Sequence, residues 1–484
     1  MIEPAAVKAV GALEDQAAQH STQEPALARS LSARHVAMIA IGGIIGAGLF
    51  VGSSTAIATA GPAVVVSYLL AGLIVLLVMR MISEMAMAVP GRQSFADFAR
   101  LELGNWAGFM SGWLYWYFWV VVVAIEAVAG AAIINQWLPG FAIWEIGVVL
   151  MAALTGVNLM SARAYGEFEF WFSTLKVIAI LVFIVVTASY AMGFGAPSGS
   201  TFGNLVDHGG FAPHGWGAVI AGVTSVIFSL TGAEIATIAA AESNAGERTI
   251  ARMGASVALR ILIFYILSII LIVSVVPWDS IEPGYSPFAS AMAVVGIPHA
   301  ETIANLVVLI AVLSCLNSGL YVTSRVVFSL AAHREAPAAL ARINARGVPT
   351  RAILLGSLFS YGALAASVLS PAVVFSFLVN ASGVIMIALY LMVAVAQLRL
   401  RARFERDAPE KLKLRMWFHP WGSLFAILAM IGVIVAMAIT PGLAIQLYTS
   451  LFTIAVVGLA YLAVNARRSV ADPSTPISES ERPS

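Results

Sequence analysis

The sequence GGIIGAG occupies residues 42–48, in the first long apolar stretch of the chain, and SLTGAE occupies residues 229–234 in a later one. Glycine is costly in a helix interior, so a glycine cluster in a membrane-spanning helix indicates an unwound segment or a close helix contact. Close packing would be the simplest explanation of one such cluster. Two clusters at mid-membrane depth favour two interrupted helices.

The composition places the chain in a membrane. Of its 484 residues, 60% are hydrophobic and 11% are charged, and the mean hydropathy is +0.92. Because soluble domains carry about 25% charged residues, a soluble enzyme, a disordered scaffold and a nucleic-acid binder are excluded. The net charge of +1 indicates no bulk electrostatic partner, and a single cysteine, Cys315, excludes an intramolecular disulfide.

Apolar runs that approach the length of about 20 residues needed to cross a bilayer recur along the chain. They predict about twelve membrane-spanning helices, called the first to the twelfth span, over 36–61, 64–80, 106–137, 143–159, 168–192, 216–241, 257–276, 303–331, 353–369, 373–398, 424–438 and 442–463. We therefore expect a cytoplasmic N-terminal tail (1–35), a ten-helix core (36–398), a basic cytoplasmic loop (399–417), the last two helices (418–466) and a cytoplasmic C-terminal tail (467–484).

Lysine and arginine are distributed unevenly between the two sides of this predicted bundle. The predicted outer loops, including 196–214 and 277–300, contain neither residue, whereas the predicted inner loops contain arginine repeatedly. By the positive-inside rule, both termini are expected in the cytoplasm of a cell whose plasma (inner) membrane holds the protein. The basic stretch 399–415 is expected to lie against anionic lipid headgroups.

The two glycine clusters lie in the first and the sixth spans. A unit of five spans has an odd number of crossings, so a second copy of it must be inverted in the membrane. Interrupted helices at matching places in two inverted halves indicate a transporter binding site. Exposed amides of one half-helix suit an anion and freed carbonyls of the other suit a cation, so a small zwitterion satisfies both.

Several strings carry a family resemblance: IIGAGLFVGSS (44–54), YGEFEFW (165–171), AEIATIAAAES (233–243) and SCLNSGLYVTSR (314–325). With them the chain resembles the amino-acid–polyamine–organocation superfamily and, within it, the bacterial amino acid transporter family, in which the gamma-aminobutyrate (GABA) permeases are most similar. The resemblance implies an all-α, LeuT-like fold with a five-plus-five inverted repeat, interrupted helices 1 and 6 and two additional C-terminal helices. It also implies alternating access and proton coupling.

The resemblance further implies where the substrate binds. Amides of the first span would hold a carboxylate, and carbonyls of the sixth span would hold an ammonium group. The residues concerned are Ile45, Gly46, Ala47 and Gly48 in the first span and Phe228, Ser229 and Thr231 in the sixth. We also expect Gly43, Gly46 and Gly48 to be required, because side chains there would fill the space that the carboxylate approaches.

Three charged residues lie inside predicted spans, where a charge is costly and usually functional. Lys176 lies near mid-membrane in the fifth span, and a buried lysine loses its proton readily. The family resemblance places it where related sodium-driven transporters hold a sodium ion. We expect Lys176 to couple transport to protons with Glu126 as its acidic counterpart, although a structural tie to carbonyls is the alternative. Glu234 would meet the substrate ammonium or a proton, or cap the second half of the sixth helix.

Polar residues of the eighth span are the remaining candidates. Asn317 and Ser318 are possible lining residues of the site, although hydrogen bonds between helices are the simpler role, and Cys315 would pack beside them. Arg80 and Glu84, four residues apart, are expected to form a structural ion pair. The aromatic run 113–119 surrounds its helix, so most of it is expected to pack or to lie at the membrane interface.

The preferred hypothesis is a proton-coupled permease for a small zwitterionic amino acid, with GABA as the leading substrate. An aromatic, proline or broader-specificity permease and an amino-acid exchanger of the same fold remain open. A channel would need a continuous polar pore, and a membrane enzyme would need a convergent catalytic set, neither of which is found. No cluster has metal-ligand spacing, so no cofactor is expected. The coupling ion that the resemblance implies is the proton, and no obligatory protein partner is evident.

Overall fold

A computed structural model describes residues 45–89, 94–159, 162–197, 199–232, 234, 261–344, 348–368 and 370–471. Within these ranges every regular element is a helix, and no strand occurs. The first span includes Ser53–Ala60, and the second to fifth spans are Val64–Ala88, Asn105–Trp137, Ile143–Asn158 and Ala162–Ala191. Later spans contain Gly215–Ala221, Val223–Leu230, Ile261–Leu267, Ser268–Val275, Ala300–Ala332, Thr350–Ser367, Pro371–Asp407, Trp421–Ile439 and Ala444–Ala471. Two shorter helices, Phe95–Leu103 and Pro287–Val295, lie between spans.

The helices match the predicted number of membrane crossings. Among the described residues, seven helices are long and apolar enough to span a bilayer, and four shorter apolar helices accompany them. One of the seven, Gly48–Ala88, turns at Gly61–Ala63 and so contains both the first and the second span. The third and eighth spans have 33 residues each, which fits tilted helices.

The third span forms the centre of the bundle, and the last two spans lie at its edge. In the most apolar window of the third span 83% of the residues are buried, against 33% in the eleventh span and 11% in the twelfth. Apolar side chains that face outward in a membrane contact lipid at no cost. The ten-helix core therefore holds the packed interior, and the eleventh and twelfth spans are additions to its surface.

The sixth span is interrupted where SLTGAE predicted. Its first half ends at Leu230, Thr231 is extended with ψ of 147°, and Gly232 has φ of +114°. Only glycine adopts that conformation without strain, which explains the glycine at this point. In the first span, Ile45 and Gly46 form a bend immediately before the helix, whereas Gly43 lies outside the described residues. The two interruptions are those of a five-plus-five inverted repeat.

Two helices extend beyond their predicted ends. The second span was expected over 64–80 and runs from Val64 to Ala88, and the tenth was expected over 373–398 and runs from Pro371 to Asp407. Hydropathy marks only the part of a helix that crosses lipid, whereas the hydrogen-bonded helix continues into water where other groups stabilise it. About half of the predicted basic loop 399–415 is therefore helix.

The predicted ion pair between Arg80 and Glu84 is wrong. Glu84 is fully buried and pairs with the guanidinium of Arg401, while the Gln397 amide donates to it at 2.8 Å. Arg80 donates to the backbone carbonyl of Arg415 at 2.7 and 3.0 Å. The extension of the tenth helix places Arg401 against a buried carboxylate, which needs a charged partner. Part of the basic stretch therefore contacts acidic protein groups rather than lipid headgroups.

Candidate functional site

The interrupted first and sixth spans are in close contact at Gly48 and Ser229. The Ser229 hydroxyl donates to the carbonyl oxygen of Gly48 at 2.6 Å, and Tyr265 of the seventh span donates to the carbonyl of Ser229 at 3.0 Å. A Cβ atom added to Gly48 would lie 2.6 Å from the Cα of Ser229. Because backbone cannot yield as a side-chain end does, a glycine is required at this contact.

The amide of Ala47 points at a carboxylate. Its N–H lies 3.1 and 3.3 Å from the two carboxylate oxygens of Glu126, which is buried on the third span. The first amides of a helix lack partners within the helix and attract negative charge. The predicted anion-binding end of the first span therefore faces a carboxylate in this structure, and that carboxylate belongs to the protein.

A small cavity separates the first, third, sixth and eighth spans. Its volume of about 20 Å³ leaves room for about one water molecule. Seven of the lining residues were predicted as site residues, namely Gly46, Gly48, Glu126, Phe228, Ser229, Thr231 and Cys315. The described residues thus leave little free volume at the centre of the predicted site.

Of the third-span residues that line this cavity, only Glu126 was predicted from the sequence. Phe118, Trp119 and Val122 also line it. Together with Glu126 they recur at intervals of about four residues, which is the spacing of one helix face. The buried acid could have served as the anchor of that face, but the apolar and aromatic residues around it have no periodicity of their own and suggested packing alone.

Glu234 lies on the C-terminal side of the sixth-span break. This carboxylate is buried, accepts from the amide of Gly232 at 3.0 Å, and lies 3.4 Å from the hydroxyl of Tyr115. The Thr231 hydroxyl donates to the carbonyl of Ile227 at 2.8 Å. Both polar side chains at the break therefore bind backbone near the interruption. The second half of the sixth helix, which Glu234 was expected to cap, lies outside the described residues after Glu234.

Lys176 joins three spans. Its ammonium nitrogen is fully buried and lies 3.0 Å from the carbonyl oxygen of Ile45, 3.0 Å from the hydroxyl of Ser314 and 3.5 Å from a carboxylate oxygen of Glu169. A backbone carbonyl of the interrupted first span and a hydroxyl of the eighth span are oxygen ligands of the kind that a bound cation needs. The lysine side chain supplies a positive charge between them.

A carboxylate in direct contact with Lys176 is Glu169, which was not predicted, whereas the coupling role expected of Glu126 stays a prediction. Glu169 precedes Lys176 by seven residues, which is about two helical turns and places both side chains on one face. That spacing was the available signal. It was missed because the fifth span was predicted to begin at residue 168, which placed Glu169 at a helix end, whereas the helix begins at Ala162.

The eighth-span candidates separate into different roles. Cys315 lines the cavity, and a Cβ atom added to Gly46 would lie 2.7 Å from its sulfur. Ser318 donates to Glu169 at 3.3 Å. Asn317 instead accepts from the side-chain amide of Asn158 at 2.7 Å, which is a hydrogen bond between helices, the simpler of its two expected roles. Asn317 is therefore not among the residues that line the cavity.

An all-helical membrane bundle whose two interrupted spans meet at a small central cavity belongs to the class of secondary transporters. The chain belongs to the amino acid permease family, whose model matches residues 35–472. It is thus a membrane-embedded amino acid permease, and its substrate class is an amino acid.

Individual relatives agree with the family. The chain is 44% identical to the gamma-aminobutyric acid permease of Bacillus subtilis, over 91% of this chain and 94% of that protein. It is 37% identical to the aromatic amino acid transport protein AroP of Corynebacterium glutamicum, over 85% and 89%. A crystal structure of a variant manganese transporter from Eremococcus coleocola shares the fold, with a TM-score of 0.56, 12% identity and coverage of 89% and 92%.

Proposed function

We propose that this permease imports a small zwitterionic amino acid, with GABA as the leading substrate, in symport with protons. The transport is by alternating access and leaves the substrate chemically unchanged. The observation that carries the proposal is the position of Lys176, whose ammonium group bridges the carbonyl of Ile45 and the hydroxyl of Ser314. The positive charge strengthens the hydrogen bond to the first span, so loss of the proton would weaken this arrangement.

The substrate carboxylate is proposed to bind at the start of the first helix. The Ala47 amide, which now binds Glu126, would turn to the substrate carboxylate as the cavity opens. The ammonium group would meet the carbonyl oxygens of Phe228 and Ser229 beside the sixth-span break. A carbonyl oxygen has two lone pairs, so the hydrogen bonds that these groups already accept leave room for another donor.

The narrow cavity favours a small substrate. Its present volume is about 20 Å³, so any amino acid must displace side chains to enter. The bulky residues Phe118, Trp119 and Phe228 line the space, and an aromatic substrate would require a larger displacement than a linear one. The name of the Bacillus subtilis relative directs the choice among small zwitterions to GABA.

The proton, rather than sodium, is proposed as the coupling ion. An ammonium group already lies among the oxygen atoms of the first and eighth spans, and a second cation beside Lys176 would be repelled. Loss of the proton would release the first span from the fifth. We propose that no cofactor is needed for this step.

We propose that both termini lie in the cytoplasm of a plasma (inner) membrane. Two ion pairs support this orientation, because they bring arginines assigned to the inner side next to each other's segments on one side of the bundle. Arg100 pairs with Glu335, and Arg403 pairs with Glu102. The predicted outer loops, which carry no lysine or arginine, form no comparable pairs with arginine in the described residues.

A thermal-shift panel of free amino acids on purified protein tests the substrate. A ligand that binds only the folded state at 100 times its Kd adds about 2.7 kcal/mol of stability. We expect GABA to raise the melting temperature more than phenylalanine, proline or arginine. Stabilisation by arginine or phenylalanine without any effect of GABA would contradict the proposed substrate.

A further inference from the structure

Glu169 is a buried carboxylate for which the proposed cycle has no role. It is 1% exposed and accepts hydrogen bonds from three serine hydroxyls: Ser173 at 3.1 Å, Ser314 at 2.6 Å and Ser318 at 3.3 Å. The ammonium nitrogen of Lys176 lies 3.5 Å from the carboxylate oxygen of Glu169 that also accepts from Ser173. A carboxylate with this many donors is held firmly between the fifth and eighth spans.

Lys176 and Glu169 differ in the spans that they contact. Lys176 reaches the carbonyl of Ile45 in the interrupted first span, whereas Glu169 contacts only the fifth and eighth spans in its hydrogen bonds given above. Glu169 also lies seven residues nearer the N-terminal end of its helix, roughly 10 Å along the axis. In the proposed orientation that end faces the cytoplasm.

We propose that Glu169 is a proton relay between Lys176 and the cytoplasm. This inference rests on the proposed proton coupling and names the route by which the proton leaves. When the first span withdraws, the Lys176 ammonium transfers one proton to the Glu169 carboxylate, which gives a neutral amine and a neutral carboxylic acid. The acid then releases the proton to cytoplasmic water and returns to the carboxylate.

The surroundings suit both protonation states. A hydroxyl donates to a carboxylate and can also accept from a protonated carboxyl group, so Ser314 serves Glu169 before and after the transfer. The transfer neutralises both members of a buried ion pair, which lowers the cost of charge inside the membrane once the carbonyl of Ile45 has moved away. Two further titratable groups face Lys176, namely Glu126 of the third span and Cys315 of the eighth.

The variant Glu169→Gln tests the relay, because an amide keeps an acceptor for the serines but carries no proton. Proteoliposomes with an imposed gradient of about one pH unit should accumulate substrate about tenfold at equilibrium for one proton per substrate. We expect Glu169→Gln to lose that accumulation and substrate-driven proton entry, measured with an internal pH dye. Exchange of labelled for unlabelled substrate, which needs no net proton movement, should persist.

Two further variants keep the result decisive. Glu169→Asp retains a proton-carrying group and should recover part of the accumulation. Glu335→Gln removes a buried carboxylate that pairs with Arg100 away from the site, so it should change exchange and accumulation by the same factor.

Accumulation and proton entry that persist in Glu169→Gln would overturn the relay and leave the proposed function intact. Loss of both exchange and accumulation in Glu169→Gln and in Glu169→Asp would identify the carboxylate as a structural tie and would also overturn it. Failure of the unmodified protein to respond to a pH gradient would instead refute the proposed proton coupling itself.

Discussion

The substitution Gly46→Ala tests how tightly the closed site is packed. A Cβ atom at this position would lie 2.7 Å from the sulfur of Cys315, 2.9 Å from its Cβ and 3.2 Å from a carboxylate oxygen of Glu126. Such distances require a neighbour to move. The cavity offers little alternative space, since it holds about 20 Å³.

The expected cost follows from that overlap. Adding a methyl group to a well-packed interior costs about 1–3 kcal/mol. If the cost acts on the closed arrangement through which transport passes, the population of that arrangement falls about 5- to 150-fold. We therefore expect substrate uptake by Gly46→Ala to fall by at least about fivefold at equal amounts of protein.

A second substitution identifies the overlap as the cause. Cys315→Gly removes both close atoms and leaves only the flexible end of Glu126, whereas Cys315→Ala leaves the Cβ at 2.9 Å. Uptake should therefore increase from Gly46→Ala to Gly46→Ala/Cys315→Ala and again to Gly46→Ala/Cys315→Gly. Gly48→Ala should resist rescue, because its nearest neighbour is a backbone atom of Ser229 at 2.6 Å.

The assay is uptake of labelled GABA into proteoliposomes, with Gly432→Ala as the matched control because nothing lies within 4 Å of a Cβ atom there. Each single Cys315 variant is measured as well, since a glycine inside a helix costs about 1 kcal/mol by itself. Uptake by Gly46→Ala equal to that of Gly432→Ala would refute the packing argument. The argument would also be refuted if Cys315→Gly transports by itself but does not restore uptake when combined with Gly46→Ala.

Four further outcomes are expected. Lys176→Ala should lose proton-driven accumulation while weak substrate binding survives in a thermal-shift assay, and normal accumulation would leave Lys176 as a structural tie. Replacing external sodium by choline at fixed pH should leave uptake by the unmodified protein unchanged. Glu84→Ala should lower the free energy of unfolding by about 3 kcal/mol, because it leaves Arg401 buried without this partner, and melting in detergent measures the change. Tyr265→Phe should cost about 1 kcal/mol through the lost hydrogen bond to Ser229, and an unchanged melting temperature would contradict that bond.

The sequence predicts a helix accurately where its composition is uniform. The third span was expected over 106–137 and is Asn105–Trp137, because its apolar residues continue from end to end and polar residues bound it. The sixth-span break was also predicted from a local signal, which is a glycine inside an apolar span. In the structure this residue, Gly232, adopts a positive φ. Local signals suffice for both features.

Features that depend on distant partners were not predictable in this way. The tenth helix passes its expected end because Arg401 and Arg403 pair with Glu84 and Glu102, which lie about 300 positions earlier in the sequence. A hydropathy profile places the end of the span before these arginines, because charged residues lower the mean hydropathy. Only the packing of the tenth span against the second span and against the helix Phe95–Leu103 shows that the charges are compensated.

The candidate site shows the same division. Gly46, Gly48, Ser229 and Thr231 lie together at the cavity as expected, because the glycine pattern marks both interruptions. The contact between Lys176 and Glu169 was not predicted because depth in a membrane depends on where a helix begins. A start at Ala162 rather than at residue 168 moves the Glu169 carboxylate from the expected interface into the interior.

The most direct test of the central proposal is GABA uptake into proteoliposomes in sodium-free buffer, with and without an inward proton gradient. We expect internal GABA to exceed the external concentration only when the gradient is present, with Lys176→Ala reaching no more than the external concentration under both conditions. Accumulation that requires sodium, or equal accumulation by the parent protein and Lys176→Ala, would contradict it.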